Sequence, residues 1–293
     1  MPYPRILRDK LNKKDLHKLY WEEKMTIKQI AEKYNVNFAS VQKYMKDIGV
    51  PRRDKYASKW LNSPVQVNET FFSEWSKQMA YVLGIIVTDG SIEKKTGSLR
   101  ISMTDFDVIE KIASAMDLEN GVSLVKKRGN NKQQYKLAVC RRSFVEDFIR
   151  LGIKINGEKT YKQGKVEVPR KFRNHFIRGV FDGDGSLVIR HRVSPKGTPY
   201  ISHDLTIVSA SKDFLQSIVE IINDDIDINI CVKKYKGGTK GKYKDLYRIN
   251  FSDRVKIAKF LNYIYEDKGT LFMERKYNKY IKEGPHLLNI DLF

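Results

Sequence analysis

Two cysteines in 293 residues, Cys140 and Cys231, share no CxxC pair, no zinc spacing and no disulfide framework. Both fall in segments that read as strands, where a small buried apolar side chain is expected. Histidine is scarce too. His17, His175, His191, His203 and His286 show neither HxH nor HExxH spacing, which argues against a zinc or histidine-triad enzyme. No apolar run approaches the roughly 18 residues of a membrane span. No basic amphipathic helix with a Trp/Phe/Leu face stands out. The opening MPYPRILRDKLNKKD lacks the apolar stretch of a signal peptide. The expectation is an intracellular (cytoplasmic) protein without a membrane partner.

Negative charge is also in short supply. Lys and Arg number 55 against 35 Asp and Glu, a net charge of +20. Such a surplus repels itself in a folded chain and is most simply explained by a polyanionic partner, with nucleic acid the leading candidate. The 41% apolar content is enough for a real core, and the length allows two domains, or one with an appendage.

Residues 1–60 hold 15 Lys/Arg and 7 Asp/Glu. Within them, Leu16, Leu19 and Tyr20 mark the inner face of a helix from Leu11 to Trp21. Ile27, Ile30, Ala31 and Tyr34 mark a second. After Asn35-Val36-Asn37, Phe38, Val41, Tyr44 and Met45 mark a third that stops at Gly49. Three helices with a small Ala31 and a short turn resemble a helix-turn-helix DNA-binding unit. In that arrangement Asn37, Ala39, Ser40 and Lys43 meet base edges, and Arg52 and Arg53 suit phosphates. Residues 61–75 loosen into a linker.

From 76 the chain repeats itself. LRISMTDFDVIEKIA is answered by DLTIVSASKDFLQSIV, and YKLAVCRRSFVEDFIRLGI by YRINFSDRVKIAKFLNYIY. Each copy, 76–165 and 166–293, reads as α-β-β-α-β-β-α. The fold class expected is therefore α+β: two antiparallel four-stranded sheets backed by helices, plus the small all-α unit. Strands are expected at Gly90–Lys94, Ser98–Met103, Val122–Arg128 and Gln134–Arg141, then Ser186–Arg192, Asp204–Ser209, Asn229–Tyr235 and Asp245–Phe251. Strand alternation turns Arg100, Gln134 and Lys136 of the first copy away from the core, and Arg190, Arg192 and Arg248 of the second, with Lys233 counted in the same set. Long basic and amide side chains suit phosphates and major-groove base edges.

YVLGIIVTDGS at 81–91 and FIRGVFDGDGS at 176–186 are two versions of one segment: a helix with an inset glycine, ending in Asp-Gly-Ser. A glycine inside a helix costs about 1 kcal/mol relative to alanine. Gly84 and Gly179 are explained if the two helices touch backbone to backbone, with Thr88 and Gly183 extending the contact. Gly90 and Gly185 then follow as C-terminal caps. Asp89 and Asp184 would lie side by side at the negative ends of two helix dipoles, where lysine or arginine is the stabilising choice. Two acids there make sense if hard divalent cations fill the gap. Magnesium suits them, two or more ions with manganese substituting. Gly90 and Gly185 join the aspartates as candidate metal ligands.

LGIIVTDG and RGVFDGDG resemble the paired motifs of the LAGLIDADG homing endonucleases, in the single-chain, two-motif form. The resemblance spans about 76 to 282 and implies a saddle of two sheets in the major groove of a long asymmetric duplex. It also implies metal-dependent hydrolysis across the minor groove that leaves 3′ overhangs, by a monomer needing no protein partner. The second acid of each motif holds metal in that family, which matches Asp89 and Asp184. The earlier motif acid is Asp182 in the second copy, read as structural, and is replaced by Val87 in the first. A basic residue near each metal completes the catalytic set; GEKTYKQGKVEVP nominates Lys159, and FMERKYNKY nominates Lys276 ahead of Lys268. The chain departs from the family at the end of the second strand of each copy, where Gln or Lys is frequent: it has Met103-Thr104 and Ser209-Ala210. A non-cleaving regulator or an RNA-splicing maturase on the same saddle is the alternative.

Overall fold

The computed structural model describes residues 4–53, 64–127, 129–235 and 245–288. The chain divides into two compact units, Met1–Pro64 and Val65–Phe293.

In the first unit, helices Arg5–Lys10, Lys13–His17, Ile27–Lys33 and Phe38–Asp47 enclose a core that includes Leu7, Leu11, Leu16, Ile30, Val41 and Met45. The expected helix from Leu11 to Trp21 is instead Lys13–His17 running into a π-helical turn at Lys18–Glu22. The helix before it was not anticipated. Ile27–Lys33 starts on a capping box: the Thr26 side chain accepts from the Gln29 N–H while the Gln29 side chain accepts from Thr26 N–H. The turn to the next helix passes through Asn35 at φ 49°, a left-handed conformation that Asn tolerates. Phe38 does not face inward as its spacing suggests. It is 48% exposed at the start of Phe38–Asp47.

The second unit holds both repeats on one continuous hydrophobic core. Its first sheet consists of β1 (Gly90–Glu93), β2 (Ser98–Met103), β3 (Val122–Val125) and β4 (Gln134–Cys140), in the order β1-β2-β4-β3. The second consists of β5 (Gly185–Val193), β6 (Pro199–Ser209), β7 (Val232–Tyr235) and β8 (Leu246–Phe251), in the matching order β5-β6-β8-β7. Every pairing is antiparallel. Arg128, at the end of the expected third strand, lies outside the described residues.

Three expectations are corrected and a fourth, the glycine caps, is met with a different backbone conformation. Residues 65–75 are not a linker. Phe72 is fully buried, its ring 5.0 Å from Phe144 and 4.7 Å from Phe148, and Arg141 donates to Val65 O and Glu69. Cys231 is exposed, just before β7, and Cys140 is half-buried, so neither is the buried apolar residue expected. β6 begins at Pro199, five residues before the expected Asp204. Proline is compatible with the first residue of a strand, where it forfeits no interior ladder bond. Gly90 and Gly185 do cap their helices, but with extended backbone (φ −75° and −85°) as the first residues of β1 and β5. Space is what demands glycine there: a Cβ would come within 2.5 Å of Ile86 O at one and of Phe181 O at the other.

Candidate active site at the helix seam

Helices Lys77–Asp89 and Arg173–Asp184 pack along their glycines. A Cβ on Gly84 would lie 2.4 Å from Phe176 O. One on Gly179 would lie 2.2 Å from Tyr81 O and 3.0 Å from Gly84 Cα. One turn on, a Cβ on Gly183 would meet Thr88 Oγ1 at 2.0 Å and Asp89 Oδ2 at 2.6 Å. The backbones therefore touch, and the contact line continues into the Asp89 carboxylate, immediately before Asp184. Burying these helix ends brings the two acids to one spot.

The electrostatics follow from that placement. Both carboxylates reach solvent, yet each is hemmed in by protein on its other sides. Loss of hydration, reinforced by the charge of Asp89, raises Asp184 to about 6. Loss of hydration also raises Asp89, against a hydrogen bond from Thr88 Oγ1 at 3.1 Å and the positive charge of Lys159 and Lys276.

The cations that helix C-termini favour arrive from elsewhere in the chain. Lys159 Nζ donates to Ile86 O and Thr88 O, each at 2.8 Å, at the end of the first seam helix. Lys276 Nζ donates to Phe181 O, Asp182 O and Gly185 O at 2.6, 2.7 and 2.5 Å, at the end of the second. Burial lowers both ammonium groups to about 8, while the neighbouring aspartates oppose the shift. The two are not equal. An ammonium has three N–H donors. Lys276 spends all three on carbonyls, whereas Lys159 spends two. Lys268, the less favoured candidate, lies over the rings of Phe272 and Tyr277.

Asp182 is fully buried. It accepts from Tyr81 OH at 2.9 Å and from Met273 N–H at 2.8 Å, and burial raises it to about 6. It ties the first seam helix, the second, and the segment that delivers Lys276. Arg178 holds the same segment by donating to Leu271 O, Ile264 O and Lys268 O. Arg178 and Tyr81 escaped sequence reasoning. Their signal was a charged residue and a tyrosine inside an apolar helical run.

The donor set suits a hard divalent cation: two adjacent carboxylates with one open side, each with its acidity weakened chiefly by loss of hydration, which Lys159 and Lys276 only partly offset. No group of three or more His, Cys, Asp or Glu that could hold a metal occurs among the described residues. Two carboxylates leave most coordination positions to water and phosphate oxygens, the habit of magnesium. Gly185 O already accepts from Lys276, and Gly90 pairs with Ile101 in the ladder between β1 and β2. A cleft of about 340 Å³ adjoins Asp184 and is lined also by Lys159, Thr88, Gln163, Ser209 and Ala210. Where β6 ends in this cleft, Ser209 and Ala210 offer a hydroxyl and neither an amide nor an ammonium.

The sheets sort the remaining candidates. Arg100, Gln134 and Lys136 lie on one face of the first sheet, opposite the face that carries buried Leu99, Ile101 and Leu137. Arg190, Arg192, Arg248 and Lys233 share one face of the second, with Lys233 paired directly to Arg248. In the first unit Ser40 and Lys43 stay on the helix that Asn37 caps. The Asn37 side chain accepts from Ser40 N–H at 2.7 Å and so already serves that helix end.

Arg52 is exposed, whereas Arg53 is withdrawn from the surface. Its guanidinium lies 3.8 Å over the Tyr20 ring and donates to Lys24 O and Met25 O, which corrects its assignment to phosphate. Arg53→Ala should therefore lower the stability of this unit by about 1–3 kcal/mol. Its effect on DNA affinity should be no larger than that loss explains. Thermal unfolding set beside duplex titration checks this.

The LAGLIDADG-like domain profile matches residues 76–151 and 171–265, more than half of the chain. The chain belongs to the LAGLIDADG family. An uncharacterized protein of Methanocaldococcus jannaschii, MJ0314, is 26% identical over 175 residues, which are 56% of this chain and 61% of that protein, so the chain matches about three fifths of that relative's length. Among solved structures, the I-LtrWI LAGLIDADG homing endonuclease bound to target DNA is similar, with a TM-score of 0.48 and 13% identity over 76% of this chain and 94% of that one. Full-length DUF199/WhiA from Thermatoga maritima has a TM-score of 0.43 and 15% identity, over 72% of this chain and 64% of that one. Among the described residues of this LAGLIDADG protein, no helix is long and apolar enough to cross a membrane.

Proposed function

We propose that this LAGLIDADG protein is a site-specific endonuclease. It hydrolyses both strands of a long duplex DNA target across the minor groove, with divalent metal, and leaves 3′ overhangs. The observation that carries the reading is the pair Asp89 and Asp184, held side by side on two helix ends whose own field opposes their charge. A protein that only binds a polyanion has no use for two such acids. Magnesium supplied there would polarise the phosphate and lower the pKa of the attacking water. Asp89 and Asp184 would hold it, Lys159 would direct its third N–H toward water or a phosphate oxygen, and the outward Arg, Lys and Gln of the two sheets would hold the duplex in register. The net charge of +20 makes affinity fall steeply with salt as counterions are released. The helix-turn-helix unit adds its own contacts through Asn37, Ser40, Lys43 and Arg52. One chain carries both half-sites, so a monomer suffices.

The direct test is to incubate the protein with a randomised duplex library and magnesium, then sequence the ends produced. Recurrent paired cuts with 3′ overhangs are expected, and none with EDTA. Binding without a cut under any divalent ion would instead support a non-cleaving role. The full commitment of Lys276 to carbonyls, and the missing Gln or Lys beside Thr104 and Ala210, favour that second reading.

pH gives a signature. With limiting magnesium, cutting should rise through about pH 6 as Asp184 ionises and fall above about 8 as Lys159 loses its proton. Saturating magnesium should push the acid limb lower, because the cation competes with the proton. A rate flat from pH 5 to 9 would contradict this arrangement.

The lysines should also separate. Lys159→Met should slow cutting about 10²- to 10³-fold and cost less stability than Lys276→Met, since it frees two part-buried carbonyls rather than three buried ones. Lys276→Met, which strands three carbonyls, should cost about 2–4 kcal/mol of stability. Rate and melting temperature, measured on both variants, decide between the roles.

A further inference from the structure

The two sheets differ in reach. β1 and β2 pair over four residues, from Gly90↔Ile101 to Glu93↔Ser98. β5 and β6 begin equivalently at Gly185↔Ile207 but continue for nine, to Val193↔Pro199. The five additional pairs present Arg190 with Ser202, and Arg192 with Tyr200, on the face that carries Arg248 and Lys233. Arg190 and Arg192 therefore have no counterpart in the first sheet. At about 3.4 Å per residue the overhang adds about 17 Å, the rise of about five base pairs.

One residue of that face is out of keeping with a polyanionic partner. Asp204 sits outward beside the arginines, where phosphate repels it. Its carboxylate lies 3.1 Å from Arg190 Nη1, with both side chains still open to solvent at 47% and 37% exposure. Pinned by one nitrogen, the guanidinium keeps Nη2 and Nε to offer, in a fixed orientation. A fixed fork of two donors matches O6 and N7 of guanine in the major groove.

Resting on the proposed function, we infer that the β5–β6 overhang is a specificity element peculiar to the second half-site. It extends sequence readout on that side alone, with Arg190 reading a guanine and Asp204 acting as a positioning residue that orients it. Loss of one bidentate base contact changes discrimination about ten- to a hundredfold.

The test is selection of bound duplexes from a randomised library by the full chain in calcium buffer, with Arg190→Ala, Asp204→Asn and Arg190→Lys in parallel. The wild type should select an asymmetric site, longer on one side, with a guanine at one position of the longer arm. Arg190→Ala should lose that guanine and keep the rest. Asp204→Asn should weaken the same position while total affinity holds or rises, because a negative charge is gone, and Arg190→Lys should not restore it. A site of equal arms, or an unchanged preference in both Arg190→Ala and Asp204→Asn, would overturn the inference while leaving the endonuclease reading intact. Failure of the wild type to select any duplex would overturn both.

Discussion

Asp184→Asn should abolish cleavage, leave duplex binding intact or tighter, and make the protein more stable. The three outcomes have one cause. In the folded chain Asp184 titrates near 6, above the usual carboxylate value of 3.8, because burial and the charge of Asp89 oppose ionisation. A folded-state value above the unfolded one means that the native state binds the proton more tightly between roughly pH 4 and 6. Stability from this group is therefore lost as pH rises through that window, and the full penalty stands at pH 7. Two pKa units correspond to about 3 kcal/mol, and the open side of the carboxylate, screened by water, reduces this to about 1 kcal/mol. Asn removes the penalty, so the variant should melt about 2–4 °C higher at pH 7, and the difference should vanish near pH 4. Asp89→Asn should likewise abolish cutting. Calorimetry at the two pH values, beside gel shifts and cleavage assays, reads all three; an Asp184→Asn protein that melts lower at pH 7, or still cuts, contradicts the account.

The seam makes the second large prediction. Gly179→Ala places a Cβ 2.2 Å from Tyr81 O, and the obstacle is backbone, which cannot swing aside. Alanine favours helix over glycine by about 1 kcal/mol. The clash outweighs this: the helices must separate, at a net cost of about 3 kcal/mol or more. Separation also parts the acids, and a shift near 1 Å costs about 10²-fold in rate. Gly84→Ala should behave alike, with Phe176 O at 2.4 Å. Gly164→Ala is the control, since nothing lies within 4 Å of its added Cβ and its φ is not positive. Melting temperature and cleavage rate should fall together in the seam variants and in neither respect for the control.

What sequence made legible was periodic and duplicated. Alternation placed Leu99, Ile101 and Leu137 inside and Arg100 and Lys136 on the other face, because a half-buried strand imposes a period of two. Paired glycines at 84 and 179 foretold the seam, since little else justifies glycine within an apolar helix. Hidden features were those set by tertiary partners. Arg53 reads as a surface cation until Tyr20 and the carbonyls of Lys24 and Met25 claim it. Phe38 has inward spacing yet begins a helix too near its end to reach the core. The start of β6 follows directly on the polar turn SPKGT at 194–198 and opens on a proline, so Tyr200 and Ile201 read as loop until the ladder with β5 pairs them. The inequality of Lys159 and Lys276 depends on carbonyl counts that no spacing encodes.

The proposed endonuclease activity requires Asp89 and Asp184 together to hold divalent metal over the scissile backbone. Electron paramagnetic resonance of manganese, titrated into the protein bound to a duplex selected from the library, tests it most directly. Two or more tightly held ions are expected in the wild type, with loss of at least one in Asp89→Asn and in Asp184→Asn while both variants retain the duplex. Equal manganese occupancy in all three proteins would contradict it.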